Sequence, residues 1–151
     1  MKRNENMFSK RIIHQEELQK AFSIREKVFV EEQGVPLEEE FDQFDTLDAD
    51  CEHILVYFKE EAVGTGRVRN VDHFGKLERI CILEDYRKYG LGKVIISALE
   101  EIALEKGMTH AKLHGQTQAE GFYKKLGYHT ASDVFMEADI PHVLMIKNLT
   151  N

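Results

Sequence analysis

The sequence predicts an α+β fold, one central and mostly antiparallel sheet with helices on both of its faces. Three observations predict it. The 151 residues suffice for one ordinary domain, residues 1–151, and hardly for two. The patterns come in mixed order: an antiparallel meander first, then strand, helix, strand, helix and two closing strands. The composition, 42% hydrophobic and 31% charged, suits a soluble chain that builds a core.

Each element has its own justification. "MFSKRII" alternates and reads as a first strand. In "QEELQKAFSIREKVFVEEQ", Leu18, Phe22, Ile24, Val28 and Phe29 fall near one face of a helix, and Gly34, Val35 and Pro36 end it. Leu37, Phe41, Phe44 and Leu47 recur at helical spacing, which fits a short helix or an irregular loop anchored by its phenylalanines. Ile54–Phe58 and Ala62–Val71 form a hairpin around "KEE". "KLERICIL" is the next strand. Gly92–Lys106 is the long helix, with an apolar stripe of Leu91, Val94, Ile95, Leu99, Ile102 and Leu104, and Gly107 ends it. "THAKLHG" is a strand, and "TQAEGFYKKLG" a short helix stopped by Gly127. "YHTASDVFMEADIPHVLMIKNL" gives two strands joined through "ADIP".

Charge is spread unevenly around the net −7. From Val28 to Phe58 there are ten carboxylates and no Lys or Arg, while the rest carries 17 acids against 20 bases. This argues against a nucleic-acid partner, which needs a basic face. It permits an anion site in the second half and a cation-attracting rim in the first, or else a solvated acidic surface. No apolar run is long enough to span a bilayer, and "MKRNENMFSK" has no apolar stretch behind its basic residues. Cys51 and Cys81 have neither metal nor redox spacing, so two free thiols in a cytoplasmic protein without membrane contact are expected.

The turn "RKYGLG", Arg87–Gly92, joins a strand to the long helix. The first amides of a helix have no partner within it, and the dipole places partial positive charge there. Glycines let an anion approach the backbone, and Arg87, Lys88 and Lys93 add charge. A Walker A loop fails, because Arg87 stands where its first glycine belongs and Val94 where Ser or Thr belongs. A dinucleotide fingerprint fails at Ile95. The pattern R-x-x-G-x-G matches without a gap, although a plain glycine-bearing loop gives the same letters.

"RICILEDYRKYGLG" resembles the acetyl-coenzyme A motif of the GNAT superfamily of N-acetyltransferases, and "AEGFYKKLGY" resembles that family's second motif. "IREKVFVEEQGVP", "EEEFDQFD", "LHGQ" and "DIPHVLM" extend the resemblance to the ElaA/YjcF-like branch and to nearly the whole chain. Glu84 replaces a frequent proline, and Gln116 a frequent cofactor-contacting asparagine. The resemblance implies a parallel strand pair that splays apart. The pantetheine arm of acetyl-coenzyme A would lie in the split, against backbone groups of Ile80, Cys81 and Ile82. Arg87 and the amides of Lys88, Tyr89, Gly90, Leu91, Gly92 and Lys93 would take the pyrophosphate, and Gln116 and Phe122 would complete the cofactor contacts. The implied activity is direct acetyl transfer to a primary amine without a metal. The acceptor would be a small molecule or a peptide, the acidic span favours a cationic one, and a homodimer is plausible by family habit. Tyr123 matches the family's tyrosine, which protonates the leaving sulfur. A non-catalytic acyl-coenzyme A-binding module of the same fold, or a polyamine-binding protein using the acidic span, are alternatives from other classes.

Such a transfer needs a base for the amine, donors for the oxyanion and an acid for the thiolate. Glu78 lies two residues before Ile80, so alternation puts both side chains on one face and makes Glu78 the candidate base. It is equally readable as a surface carboxylate paired with Arg79 or Lys76. His110 and His114 share a face and are either metal ligands or structural, and His114, just before Gly115 and Gln116, lines the substrate side. Cys81, among Ile80, Ile82 and Leu83, reads better as a buried thiol than as a nucleophile. His142 has packing or a local hydrogen bond as its default role.

Overall fold

The computed structural model describes residues 6–150. Strand β1 (Met7–Arg11) is followed by helix α1 (Gln15–Arg25), whose first turn is closed by Glu17. The Glu17 carboxylate accepts hydrogen bonds from the amides of Ile13 and His14 at 3.1 and 3.2 Å. The helix widens into a π-helical segment, Glu26–Glu32, and Gly34 stops it with φ +77°. Helix α2 (Leu37–Glu40) is one turn, and an irregular loop follows to β2 (Glu52–Phe58). The acidic span thus combines the two forms expected for it. Next come β3 (Glu61–Val71), β4 (Phe74–Ile82), α3 (Leu91–Glu105), β5 (His110–Gln116), α4 (Glu120–Lys125), β6 (His129–Thr130), β7 (Phe135–Glu137) and β8 (Ile140–Asn148).

The strands make one sheet in the order β1-β2-β3-β4-β5-β8-β6, with β7 also on β8. Among the described residues, β4 and β5 are the one parallel pair. Helix α3 covers the back face over a core that includes Val63, Val68, Leu77, Ile95, Leu99, Leu113 and Met145. Its approach is close: a Cβ on Gly66 of β3 would lie 2.9 Å from the Ile95 side chain. Helix α1 covers the front face with Leu18, Ala21 and Ile24, and the π-helical segment adds Val28, against Leu55 and Cys81. Leu104, expected in the apolar stripe of α3, is 44% exposed, and Ala103 is buried instead.

Two irregularities of β4 set up the site. Its ladder with β3 shifts register between Thr65 and Arg67, and Arg79 there has φ +58°. This is a β-bulge carrying an extra residue. Its parallel pairing with β5 lasts only from Gly75–Leu77 against Ala111–Leu113. Beyond that the two strands have no mutual ladder, although β5 stays paired to β8 up to Gln116.

Candidate active site

The separation of β4 from β5 leaves the facing backbone edges of Glu78–Ile82 and His114–Gln116 without a strand partner, and buried groups of that kind need one. The split ends near the start of α3. There Gly90 stands at the N-cap with φ +76°, a left-handed conformation that an L side chain strains, and no side chain caps the helix. Leu91 is buried and anchors the turn, and the Tyr89 ring stacks on Phe58 at 4.5 Å. Lys88 and Lys93 are exposed beside the free amides. Gly92 is needed for contact: a Cβ there would lie 3.0 Å from the Phe122 ring, which packs over the first turn of α3. An uncapped fifteen-residue helix with two lysines and a left-handed glycine is suited to a phosphate.

Three sequence-predicted residues point elsewhere than at such a ligand. Arg87 donates from Nε to the Ile82 carbonyl at 2.8 Å and from Nη2 to Glu32 at 2.7 Å. Gln116 donates from Nε2 to Gln33 Oε1 at 3.0 Å. The end of the π-helical segment therefore touches both sides of the split, Arg87 following β4 and Gln116 ending β5. Cys81 is buried in the α1 face, and burial pushes its thiol well above the ordinary range, which suits an inert side chain.

Glu78 requires a correction. The bulge at Arg79 breaks the alternation, so Ile80 packs on the α3 side while Glu78 turns to the front. There its carboxylate is almost fully enclosed by cations. It accepts from Arg67 Nε at 3.0 Å, from Arg69 Nε and Nη2 at 2.9 and 3.1 Å, and pairs with Lys76 at 3.0 Å. Burial alone would raise its pKa, but these partners hold it down to about 2. A carboxylate so weakly basic is a poor proton acceptor and a good structural anion.

Part of the acidic span is buried and paired with arginines. Glu40 and Asp45 are buried, at 3% and 9% exposure. Arg25, 1% exposed, donates to Glu40 at 3.0 Å and to Asp45 at 2.6 and 3.0 Å. Arg67, equally buried, reaches Asp42 at 2.8 and 2.9 Å and Asp45 at 2.8 Å. Arg79 adds contacts to the Glu40 carbonyl and carboxylate. Phe41 lies under Arg25 at 4.8 Å and Phe44 under Arg69 at 4.2 Å. Glu38 and Glu39 are exposed. A depression of about 430 Å³ beside this network is lined by Phe22, Glu26, Phe41, Asp42 and Asp45.

Tyr123 stands behind the split. Its ring packs on Gly115 of β5, where a Cβ would come within 3.2 Å, and meets Phe122 and Tyr128 edge-on. Burial pushes its pKa up to about 12, so it keeps its proton at neutral pH. Its hydroxyl hydrogen-bonds to no protein group among the described residues. No buried side-chain polar atom among them is unpaired, so this oxygen reaches solvent. On the opposite, front face of β5, His114 Nδ1 lies 2.7 Å from Glu137 Oε1. Glu137 was missed in the sequence. The alternation of "FME" against "IPHVL" puts Phe135, Glu137 and His142 on one face and was the available signal. His110 sits apart, on Thr109 and against the Phe74 ring.

Comparison with known proteins agrees with this geometry. Residues 25–149 match the model of an acetyltransferase (GNAT) domain. The chain is 61% identical over 141 residues to the uncharacterized protein YyaT of Bacillus subtilis, covering 93% of this chain and 95% of that one. It is 48% identical over 136 residues to the uncharacterized N-acetyltransferase YjcF of the same organism, covering 89% and 95%. The crystal structure of Escherichia coli ElaA superposes with a TM-score of 0.83 at 24% identity, over 94% of this chain and 99% of that one.

Proposed function

Because the chain belongs to the GNAT acetyltransferase family, we propose that it moves an acetyl group from acetyl-coenzyme A directly to a primary amine. One observation carries this reading: the parallel pair β4/β5 comes apart after Leu77 and Leu113 and opens toward the uncapped N-terminus of α3. Backbone edges of Ile80–Ile82 would hold the pantetheine arm and amides of Lys88–Lys93 the pyrophosphate. For Ile82 this requires the Arg87 side chain to release the carbonyl it now holds, and Arg87 would then be free to turn to phosphate. A bound thioester supplies an activated acetyl group, and the chain supplies the rest. A strand amide at the bulge offers a donor for developing negative charge on oxygen. Tyr123, protonated and solvent-reaching beside Gly115, is placed to give the leaving sulfur its proton.

The acceptor would approach from the front, past the depression beside Phe22 and Phe41. Two aromatic rings and the Glu26 carboxylate favour a cationic amine there. The preference is modest, since Asp42 and Asp45 are already paired with arginines. A screen of primary amines with acetyl-coenzyme A, read by free thiol and by acceptor mass, tests the function. Thiol release that depends on an amine is expected. Tight acetyl-coenzyme A binding without turnover on any amine would make the chain a binding module instead.

A further inference from the structure

On the front face of β5, His114 is the first residue past the last position paired with β4. It stands beside the split one residue before Gly115, behind which Tyr123 packs. Proton donor and imidazole thus flank consecutive residues of one strand, on opposite faces. The imidazole is also held. Its Nδ1 lies 2.7 Å from Glu137 Oε1, and its ring meets Phe135 edge-on at 5.0 Å. Glu137 in turn lies 4.0 Å from Nε2 of His142, whose own Nδ1 donates to the Ile140 carbonyl at 2.7 Å. A carboxylate accepting from Nδ1–H fixes the tautomer in which Nε2 carries the lone pair. The His114 side chain remains 29% exposed.

We propose that His114 takes the proton from the attacking amine nitrogen, with Glu137 as the residue that positions it. This rests on the acetyltransferase reading above and supplies the base that Glu78, bound by three cations, does not. As the neutral amine nitrogen bonds to the thioester carbonyl carbon, its N–H proton passes to His114 Nε2. The carbon–sulfur bond breaks with its electron pair on sulfur, which takes the Tyr123 phenolic proton. Solvent returns the proton from His114 to the phenolate, so amine and thioester become amide and thiol. Glu137 is held below the usual carboxylate range, first by its hydrogen bond with His114. The other titratable groups around the pair are His142 on β8 and Lys76 on β4, which both act on Glu137, with Glu78 paired to Lys76 and Lys112 of β5 opposite Lys76 in the ladder.

The test uses the full chain and the fastest acceptor among spermidine, lysine, glucosamine and a Gly-Ser peptide. His114→Gln should lower kcat by more than about tenfold and abolish the acidic limb of the kcat/KM profile. Acetyl-coenzyme A affinity by calorimetry should stay unchanged. Glu137→Gln keeps the imidazole but removes its anion, so the limb should move to lower pH. A wild-type kcat in His114→Gln, or a limb that neither variant moves, would overturn the assignment while leaving the acetyltransferase reading intact. Failure of all four amines with acetyl-coenzyme A bound would overturn both.

Discussion

The back face of the sheet is held by apolar contacts, and the front face by the apolar contact of α1 together with a buried ion-pair network. Behind it, α3 buries Ile95, Ile96, Leu99 and Ile102 on Val63, Val68 and Leu77, a contact without direction that scales with area removed from water. In front, the side chains buried between the sheet and the loop after α2 include Arg25, Arg67, Glu40 and Asp45. Ion pairs of this kind gain little net stability over apolar packing, but they work only in one geometry. The difference teaches where precision is needed. The back face has to stay packed. The front face has to hold a loop without regular structure, and the bulge at Arg79, in register beside the β4/β5 split.

The largest effect is expected from breaking the front network. We predict that Arg67→Ala costs about 3–5 kcal/mol, because it removes the buried cation that Asp42, Asp45 and Glu78 share and leaves each only its outer partners. Leu99→Ala on the back face should cost about 2–5 kcal/mol. Only Arg67→Ala should also disturb amine turnover at full acetyl-coenzyme A occupancy. Urea unfolding with parallel kinetics checks both. A loss under about 1 kcal/mol for Arg67→Ala would show that the network does not hold the loop.

Next comes Tyr123. Phe keeps the ring contact with Gly115 and removes the proton, so Tyr123→Phe should cut kcat by roughly 10²-fold with little change in acetyl-coenzyme A affinity. The deficit should shrink as pH rises, where the thiolate needs less help. Equal turnover of the two proteins across pH would return Tyr123 to a packing role.

The faces should also differ in their response to acid. Glu78 and Glu17 have folded pKa values of about 2, and Asp42 and Asp45 are likewise lowered. Depressed carboxylates stabilise the fold above their unfolded values and lose that contribution as pH falls through the folded ones. Stability should therefore drop between about pH 4.5 and 2. Glu40 acts the other way, since burial raises its pKa and protonation relieves the native state. Thermal melts should show a shallower acid loss in Glu78→Gln than in wild type, and identical slopes would remove Glu78 from the account.

The smallest effect belongs to surface charge. With Glu40 buried in an ion pair, only Glu38 and Glu39 of α2 remain as free steering charges. Neutralising both to Gln should lower kcat/KM for a cationic amine by no more than a few-fold and reduce its salt dependence. An unchanged salt response would leave these two as solvated surface.

Most of the fold was legible because its signals are local. Alternation gave the strands, the stripe gave α3, and the letters from Arg87 to Gly92 marked the glycine turn before α3 directly. What stayed hidden is set by contacts far apart in the chain. Arg67 and Asp42 are 25 residues apart, and Arg79 and Glu40 are 39. Nothing in "FDQFDTLD" tells a buried counter-charge from a solvated one. The bulge was equally silent, since an arginine at positive φ leaves no composition signal, and it reversed the face assigned to Glu78 relative to Ile80. Tyr123 was found through its motif. Glu137 needed the pairing of β7 with β8 before its carboxylate could be set beside His114.

The central claim is that the β4/β5 split and the turn at Gly90 hold acetyl-coenzyme A. Titration calorimetry of wild type and Gly90→Val tests it most directly. Wild type should bind at one site. Gly90→Val, which forces a β-branched side chain into φ +76°, should bind more than about tenfold weaker, a loss of about 1.4 kcal/mol or more. No binding by wild type, or unchanged affinity in a folded Gly90→Val protein, would contradict the account.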